Sequence, residues 1–326
     1  MTQLKPCTGI DGDRRDYILY DKAIPPFPRS ELIEDVLFDR FRYHCAEGDM
    51  WPLTWAEDDA IYAGAGDNRG CPMNLWRVTT QKNFWNPTGR VEPCCRTNSG
   101  AWTLDLVNPS PVDVSKYCTD PKAPFIKPSG LLDIGGTLYF AVEAQNYGEA
   151  PQFCRQKNYH GWIVTSKDGG RSFDCDATPT HFFEGRLSSC HFLQFGRGYR
   201  GARDGYVYAY FPCDLDDGCS YWENNDALLL GRVPKARILD REAWEFFCSS
   251  DPGTPQWSGD GSLAVPVFTY RKMTGSNHVA YNPGLKRYIM GNYSFIDEAL
   301  RPRPIHQMEY PESHISQLTL YEAEEP

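Results

Sequence analysis

The 326-residue chain lacks several features that would direct it elsewhere. No run of about 18 apolar residues occurs, so no membrane-spanning helix is expected. Positive charge is in deficit: 33 Lys and Arg face 43 Asp and Glu, a formal net charge of −10. That argues against a nucleic-acid partner and fits a neutral or weakly charged ligand. The 12 cysteines include no CxxC pair and no Cys/His cluster with zinc spacing, so neither a metal nor a cofactor is expected. The segment Met1–Tyr17 has no apolar h-region and does not read as a signal peptide; the compartment stays open. Long helical periodicity is scarce.

Aromatic and turn-forming residues are plentiful: 19 Tyr, 17 Phe and 9 Trp, with 28 Gly and 25 Pro. This is the profile of many short strands joined by loops, an all-β fold. Aromatic rings on an acidic β-protein suit stacking on sugars, although most serve strands and core. The cysteines read either as reduced, buried thiols or as disulfides of an exported protein. Cys213 and Cys219, flanking a short acidic loop, are the best candidates for a local bridge. The sequon Asn292-Tyr-Ser294 does not decide between them.

Residues 1–45 read as an N-terminal wrap, with a short helix over Ser30–Arg42, and residues 46–326 as one β domain. Within that domain a turn followed by a Tyr-containing strand recurs at Asp59–Tyr62, Gly135–Tyr139, Asp204–Tyr208 and Gly284–Tyr288. The starts lie about 70–80 residues apart, which suits propeller blades with long loops. Strands are expected over Ala60–Ala65, Gly130–Ile134, Gly161–Thr165 and Ala227–Val233, and a helix-like piece over Val233–Phe247. The stretch Ser166-Lys-Asp-Gly-Gly-Arg-Ser-Phe173 matches the Asp-box pattern of propeller hydrolases, in which the aspartate orders a hairpin. Asp168 is therefore read as structural.

The chemistry is sought in Gly48–Gly70. Asp49 and Asp67 lie just outside the two ends of one turn-and-strand unit, beside Trp51 and Trp55. Paired carboxylates at one pocket suit cleavage of a glycosidic bond. The same residues also fit a plainer role, with Asp49 capping a turn and Asp67 serving a Gly-Asp-Asn hairpin.

A set of stretches in fixed order carries a resemblance. They are Trp51-Pro-Leu-Thr-Trp-Ala-Glu-Asp-Asp59 with Tyr62 and Gly66-Asp67; Lys127-Pro-Ser-Gly-Leu-Leu132; Phe192-Leu-Gln-Phe-Gly-Arg197 with Gly201-Ala-Arg-Asp204; Leu230–Lys235 with Glu245-Phe-Phe247; Tyr281–Tyr288; and Leu320-Tyr-Glu-Ala323. Together the chain resembles the domain-of-unknown-function family of five-bladed β-propellers that includes bacterial endo-D-arabinanases. The resemblance implies a funnel-borne site, glycoside hydrolysis on an arabinan-like glycan, and Asp49 and Asp67 as the catalytic pair. It also implies ligand roles for Lys127, Ser129, Tyr281 and Asn282. Members are often exported, and a monomer is expected. Two departures stand out: Asn68 replaces a common Gly, and the chain stops at Glu325-Pro326, where relatives continue into a final blade. An incomplete last blade, or closure by the N-terminal segment, is therefore expected.

In the mechanism this suggests, Asp67 is the acid, its pKa raised beside Trp51 or a second carboxylate, and Asp49 the base or nucleophile. Glu143 is the reserve acid. Arg203 and Asp204 open a strand, either as sugar ligands or as a turn ion pair. His191 faces the funnel or serves the core. Two rivals remain. A lyase for uronic-acid glycans would recruit Tyr199, Arg200, His181 and His191. A non-catalytic carbohydrate-binding propeller would need only the aromatics.

Overall fold

The structure, a computed structural model, describes residues 27–33, 49–68, 71–80, 102–113, 117, 119–146, 156–251, 253–296 and 315–326. These residues form four antiparallel sheets arranged as a β-propeller. The first sheet runs in simple order through β1 (Leu53–Trp55), β2 (Ile61–Asn68), β3 (Cys71–Thr80) and β4 (Trp102–Asn108). The second contains β5 (Phe125–Ile134), β6 (Thr137–Gln145) and β7 (Lys157–Ser166), with β8 (Phe183–Glu184) on the edge of β7.

The third sheet begins with β9 (His191–Phe192) and β10 (Tyr206–Cys213); β11 (Ser220–Tyr221) then returns to pair with β7. It continues with β12 (Asn225–Pro234), β13 (Glu245–Phe247) and β14 (Trp257–Ser258), and β15 (Pro266–Thr274) shares the edge of β12 with β13. The fourth sheet is β16 (Asn277–Asn282), β17 (Arg287–Ile296) and β18 (Ile315–Ala323). The sequence predicts five blades; the described residues form four.

The recurrent Tyr-containing strand falls at one place in every sheet. Tyr62, Tyr139, Tyr208 and Tyr288 lie on β2, β6, β10 and β17, the strands next to the innermost ones. The innermost strands β1, β5, β9 and β16 run side by side around the axis. Gln194, just after β9, forms a parallel bridge with Ala280 of β16. Between the sheets lies a core that includes Phe140, Trp162, Phe183, Phe211, Trp244 and Phe246, all essentially inaccessible. Adjacent sheets approach closely where glycine faces a backbone. A Cβ on Gly161 would lie 2.1 Å from Ser188 O, and one on Gly130 2.4 Å from Cys190 O.

Several expectations need correction. Val233–Phe247 is not a helix: β12 ends, single 3-10 turns follow at Lys235–Arg237 and Arg241–Ala243, and β13 begins. Asp240 accepts from the Glu242 amide and starts a new turn, while Trp244 swings into the core with Nε1 on Ile238 O. The expected helix over Ser30–Arg42 falls mostly outside the described residues; in the described part, Ser30 Oγ accepts from the Leu32 and Ile33 amides. Cys213 and Cys219 are free thiols. Cys213 points into the core, and Cys219 lies in the exposed turn near Asp217 and Lys157.

Trp51, Leu53 and Trp55 alternate along the inner strand of the first sheet, each more than a third exposed, and Leu318 and Leu320 of β18 are likewise exposed. Two apolar sheet faces are therefore left uncovered by the described residues. No helix among these residues is long and apolar enough to cross a membrane.

Candidate functional site

Each innermost strand delivers its first residues to one end of the axis. Residues 50–52, 128–131, 191–192 and 276–278 meet there around a cavity of about 220 Å3. Met50, Trp51, Ser129, His191 and Asn277 are among its lining. Gln194 stands deeper in the same cavity and ties the sheets together. Its Nε2 donates to Leu131 O at 2.8 Å and its Oε1 accepts from Thr54 Oγ1 at 3.1 Å. Its backbone pairs with Val279 and Tyr281. Trp222 Nε1 and Ser276 Oγ donate to Met50 Sδ.

Asp49 and Asp67 are held at this end by backbone pairing. Asp49 and Gly66 exchange both N–H···O bonds, at 2.8 and 2.6 Å, which places Asp67 one residue from Asp49's partner. Asp67 is left-handed, with φ 53°, and its side chain is 58% exposed. Asp49 is also exposed, and its Oδ1 accepts from the Met50 amide at 2.5 Å. The Lys127 ammonium forms an ion pair with Asp67. Burial lowers the Lys127 pKa, and the charges of Asp49 and Glu143 oppose that shift. Lys127 is therefore the common electrostatic neighbour of Asp49, Asp67 and Glu143.

Glu143 lies directly across from Lys127 in the β5–β6 register and is fully buried. Burial pushes its carboxyl up to about 7. Gln145 Nε2 donates to its Oε1 at 3.3 Å; its Oε2 has no hydrogen-bond partner among the described residues. Ser129 Oγ and Asn277 Oδ1, both buried on cavity-lining residues, also lack partners among those residues. His191 is buried, with Nε2 2.8 Å from Ser189 Oγ and Nδ1 3.0 Å from Asn277 O. Burial pulls its pKa down to about 4, so the ring is neutral at ordinary pH.

The remaining expected site residues lie elsewhere. Tyr281 is four residues past Asn277, about 13 Å along an extended strand. Tyr281 and Asn282 stand at the opposite end of the axis with Arg203 and Asp204. Arg203 lies over the Tyr281 ring and contacts Tyr288 Oη. Asp204 accepts from the Tyr206 amide and Tyr208 Oη. Asn282 Oδ1 accepts from the Gly284 and Leu285 amides. These are turn and strand-end roles, and none of the four groups joins Asp49 and Asp67. The lyase candidates are also dispersed: Tyr199 is buried against Phe195, Arg200 pairs with Glu57, and His181 pairs with Glu184 in an exposed position.

Asp168 accepts from Ser166 Oγ, Ser172 N and Ser172 Oγ, bonds within its own turn that hold its carboxyl down at about 2. Among the described residues, Asp214, Asp216 and Asp226 form the group whose carboxylates converge as metal ligands would. Lys272 and Arg271 form ion pairs with them, which reads as an ion-pair network. Sequence reasoning missed Ser189 and the structural part of Gln194, since nothing local distinguishes either residue from its neighbours.

No protein-family model matches the chain, and no curated protein matches it. Among solved structures it is similar to a candidate hydrolase from Bacteroides ovatus, with a TM-score of 0.43 and 11% identity over 75% of this chain and 63% of that one. The chain thus spans less than two thirds of that protein's length. It is also similar to a carbohydrate-active enzyme of family AA12 from Trichoderma reesei (TM-score 0.29, 12% identity, 82% and 70% covered). A third likeness is to a protein described with the GH130 mannoside phosphorylases, a family containing glycoside hydrolases that target β-1,2 mannosidic linkages in Candida mannan (TM-score 0.28, 11% identity, 75% and 81% covered). At these scores the likenesses decide neither substrate nor site.

Proposed function

We propose that the protein is a glycoside hydrolase acting on a neutral poly- or oligosaccharide, with an arabinan-like glycan favoured, through Asp49 and Asp67. One observation carries the reading. The two carboxylates stand at the same end of the propeller axis, next to a cavity lined by all four sheets, and both act on the buried Lys127 ammonium: Asp67 through an ion pair, Asp49 through its charge. Two acids with a cation in common are equipment for differential protonation, which acid–base cleavage of a glycosidic bond requires. The excess of carboxylates at this end disfavours an anionic glycan. Trp51, exposed beside the cavity, offers a face on which a sugar ring stacks.

Asp67 forms an ion pair with the Lys127 ammonium. Asp67 is thus better suited as base or nucleophile than as the acid the sequence suggested. Asp49 forms no ion pair among the described residues, though its charge also acts on Lys127, and it is assigned the proton-donor part. Ser129, His191 and Asn277 line the cavity and are assigned to binding.

The test is a panel of arabinans and other neutral glycans incubated with the whole protein, with release of reducing ends as the readout. Release from at least one neutral glycan is expected. A product absorbing in the ultraviolet would instead mark a lyase, and binding without release would mark a carbohydrate-binding propeller.

A further inference from the structure

Ser189 stands between two buried groups, and the count of protons among them has a consequence for the aspartates. Asn277 O only accepts, so the proton of the neutral His191 ring sits on Nδ1 and Nε2 is an acceptor. The single Ser189 hydroxyl proton is then donated to Nε2. The Ser189 hydroxyl also lies within reach of the Glu143 carboxyl, where a bond donated to it would lower the Glu143 pKa against the effect of burial. With its proton committed to His191, Ser189 has none to donate to that carboxyl, and Glu143 Oε2 has no hydrogen-bond partner among the described residues. A buried carboxylate oxygen without a donor is costly, and a neutral acid is much less so. The Ser189–His191 bond and burial thus work in the same direction, keeping a proton on Glu143.

The group that registers this proton is Lys127. It is the cation directly across from Glu143, and its ammonium contacts Asp67. While Glu143 is neutral, Lys127 is left to Asp67 and Asp49. Once Glu143 ionises, a second buried anion competes for the same ammonium. We propose that Glu143 is a positioning residue whose protonation state sets how firmly Lys127 holds Asp67, so that loss of one buried proton loosens the aspartate site.

The groups facing these residues are few. Glu143 meets Lys127 from β5, Gln145 from its own strand, and Ser189 and the Cys190 thiol from the segment entering β9. His191 faces His278 of β16, which burial keeps largely neutral. The proposal names the regulation of the site described under the proposed function, and rests on that reading only for its effect on turnover.

The experiment follows side-chain carboxyl and imidazole NMR signals of the whole protein against pH, in wild type, Glu143→Gln and His191→Leu. In wild type, Asp67 should show a second inflection, away from its own titration, at the pH where Glu143 titrates. Glu143→Gln should abolish it. His191→Leu frees the Ser189 hydroxyl for the carboxylate and should move the Glu143 midpoint downward. An Asp67 signal that is flat through the Glu143 transition would overturn the proposal, as would an inflection that persists in Glu143→Gln. If either variant fails to fold, the wild-type curve alone decides, because the inflection is present or absent there. If no glycan is cut, the hydrolase reading fails while these titrations still stand or fall on their own.

Discussion

At the scale of single residues, burial decides which protons are present near the cavity. Glu143 titrates near 7 in the folded chain, against about 4.3 when free in an unfolded one. Between those values the native state holds a proton that the unfolded state has released, so this group's contribution to stability falls as pH rises through the window. His191 acts in the opposite sense: titrating near 4 when folded, it favours folding as pH rises to about 6.5. The two offset each other below about pH 6.5, and only the Glu143 loss remains from there to about 7. From pH 6 to 8 the wild-type denaturant midpoint should therefore fall relative to that of Glu143→Gln, which keeps only the His191 gain; the same change in both proteins would show that Glu143 is not the group responsible. Asp49 and Asp67 were legible as candidates from the turn-and-strand unit they bracket, and Lys127 only through the family resemblance. Ser189 was not, because its neighbour Glu143 comes from β6 of another sheet and nothing in the sequence marks its bond to His191.

At the scale of elements, the turn-strand-Tyr repeat located the second strand of each described sheet, since the inner hairpin is rebuilt in every blade. The expected strands over Ala60–Ala65, Gly130–Ile134, Gly161–Thr165 and Ala227–Val233 all lie within or overlap observed ones. The failed helix at Val233–Phe247 had apolar residues at helical spacing. That spacing arises from separate turns dropping Ile238, Ala243, Trp244 and Phe246 into one core. Blade-to-blade approach depends on glycine in a way composition does not reveal. Gly161→Ala would drive a methyl into Ser188 O. Overpacking of this kind costs about 1–3 kcal/mol, and chemical denaturation should show a loss of that size. An unchanged midpoint would mean that the second and third sheets are free to move apart. Ser188 directly precedes Ser189, so the same substitution should also disturb the His191 signals.

At the scale of the whole molecule, Gln194 links the third sheet to the other three, through Thr54, Leu131 O, and the Val279 and Tyr281 backbone. Its amide lies where inner strands converge, a role visible only once the strands are placed around an axis. Gln194→Leu keeps the volume roughly but takes the side-chain donor from Leu131 O and the acceptor from the Thr54 hydroxyl, which keeps only its bond from the Asp133 amide. Leaving such buried groups unpaired costs about 1–3 kcal/mol each, so a clear drop in thermal midpoint is expected; retention of the wild-type midpoint would argue against a hub.

The same view divides the expected site residues between the two ends of the axis, with Asp49, Asp67, Lys127, Ser129 and His191 at one end and Arg203, Asp204, Tyr281 and Asn282 at the other. The sequence order of motifs could not reveal this, because every inner strand contributes its start to one end and its finish to the other. The most direct measurement is turnover by Asp49→Asn and Asp67→Asn on a glycan that the wild-type protein cuts, with binding of the same glycan measured in parallel. Each substitution should lower turnover by about 10²–10⁴-fold, the usual share of one acid–base group, while binding persists. Turnover within a few-fold of wild type in both variants would contradict the assignment of the two aspartates.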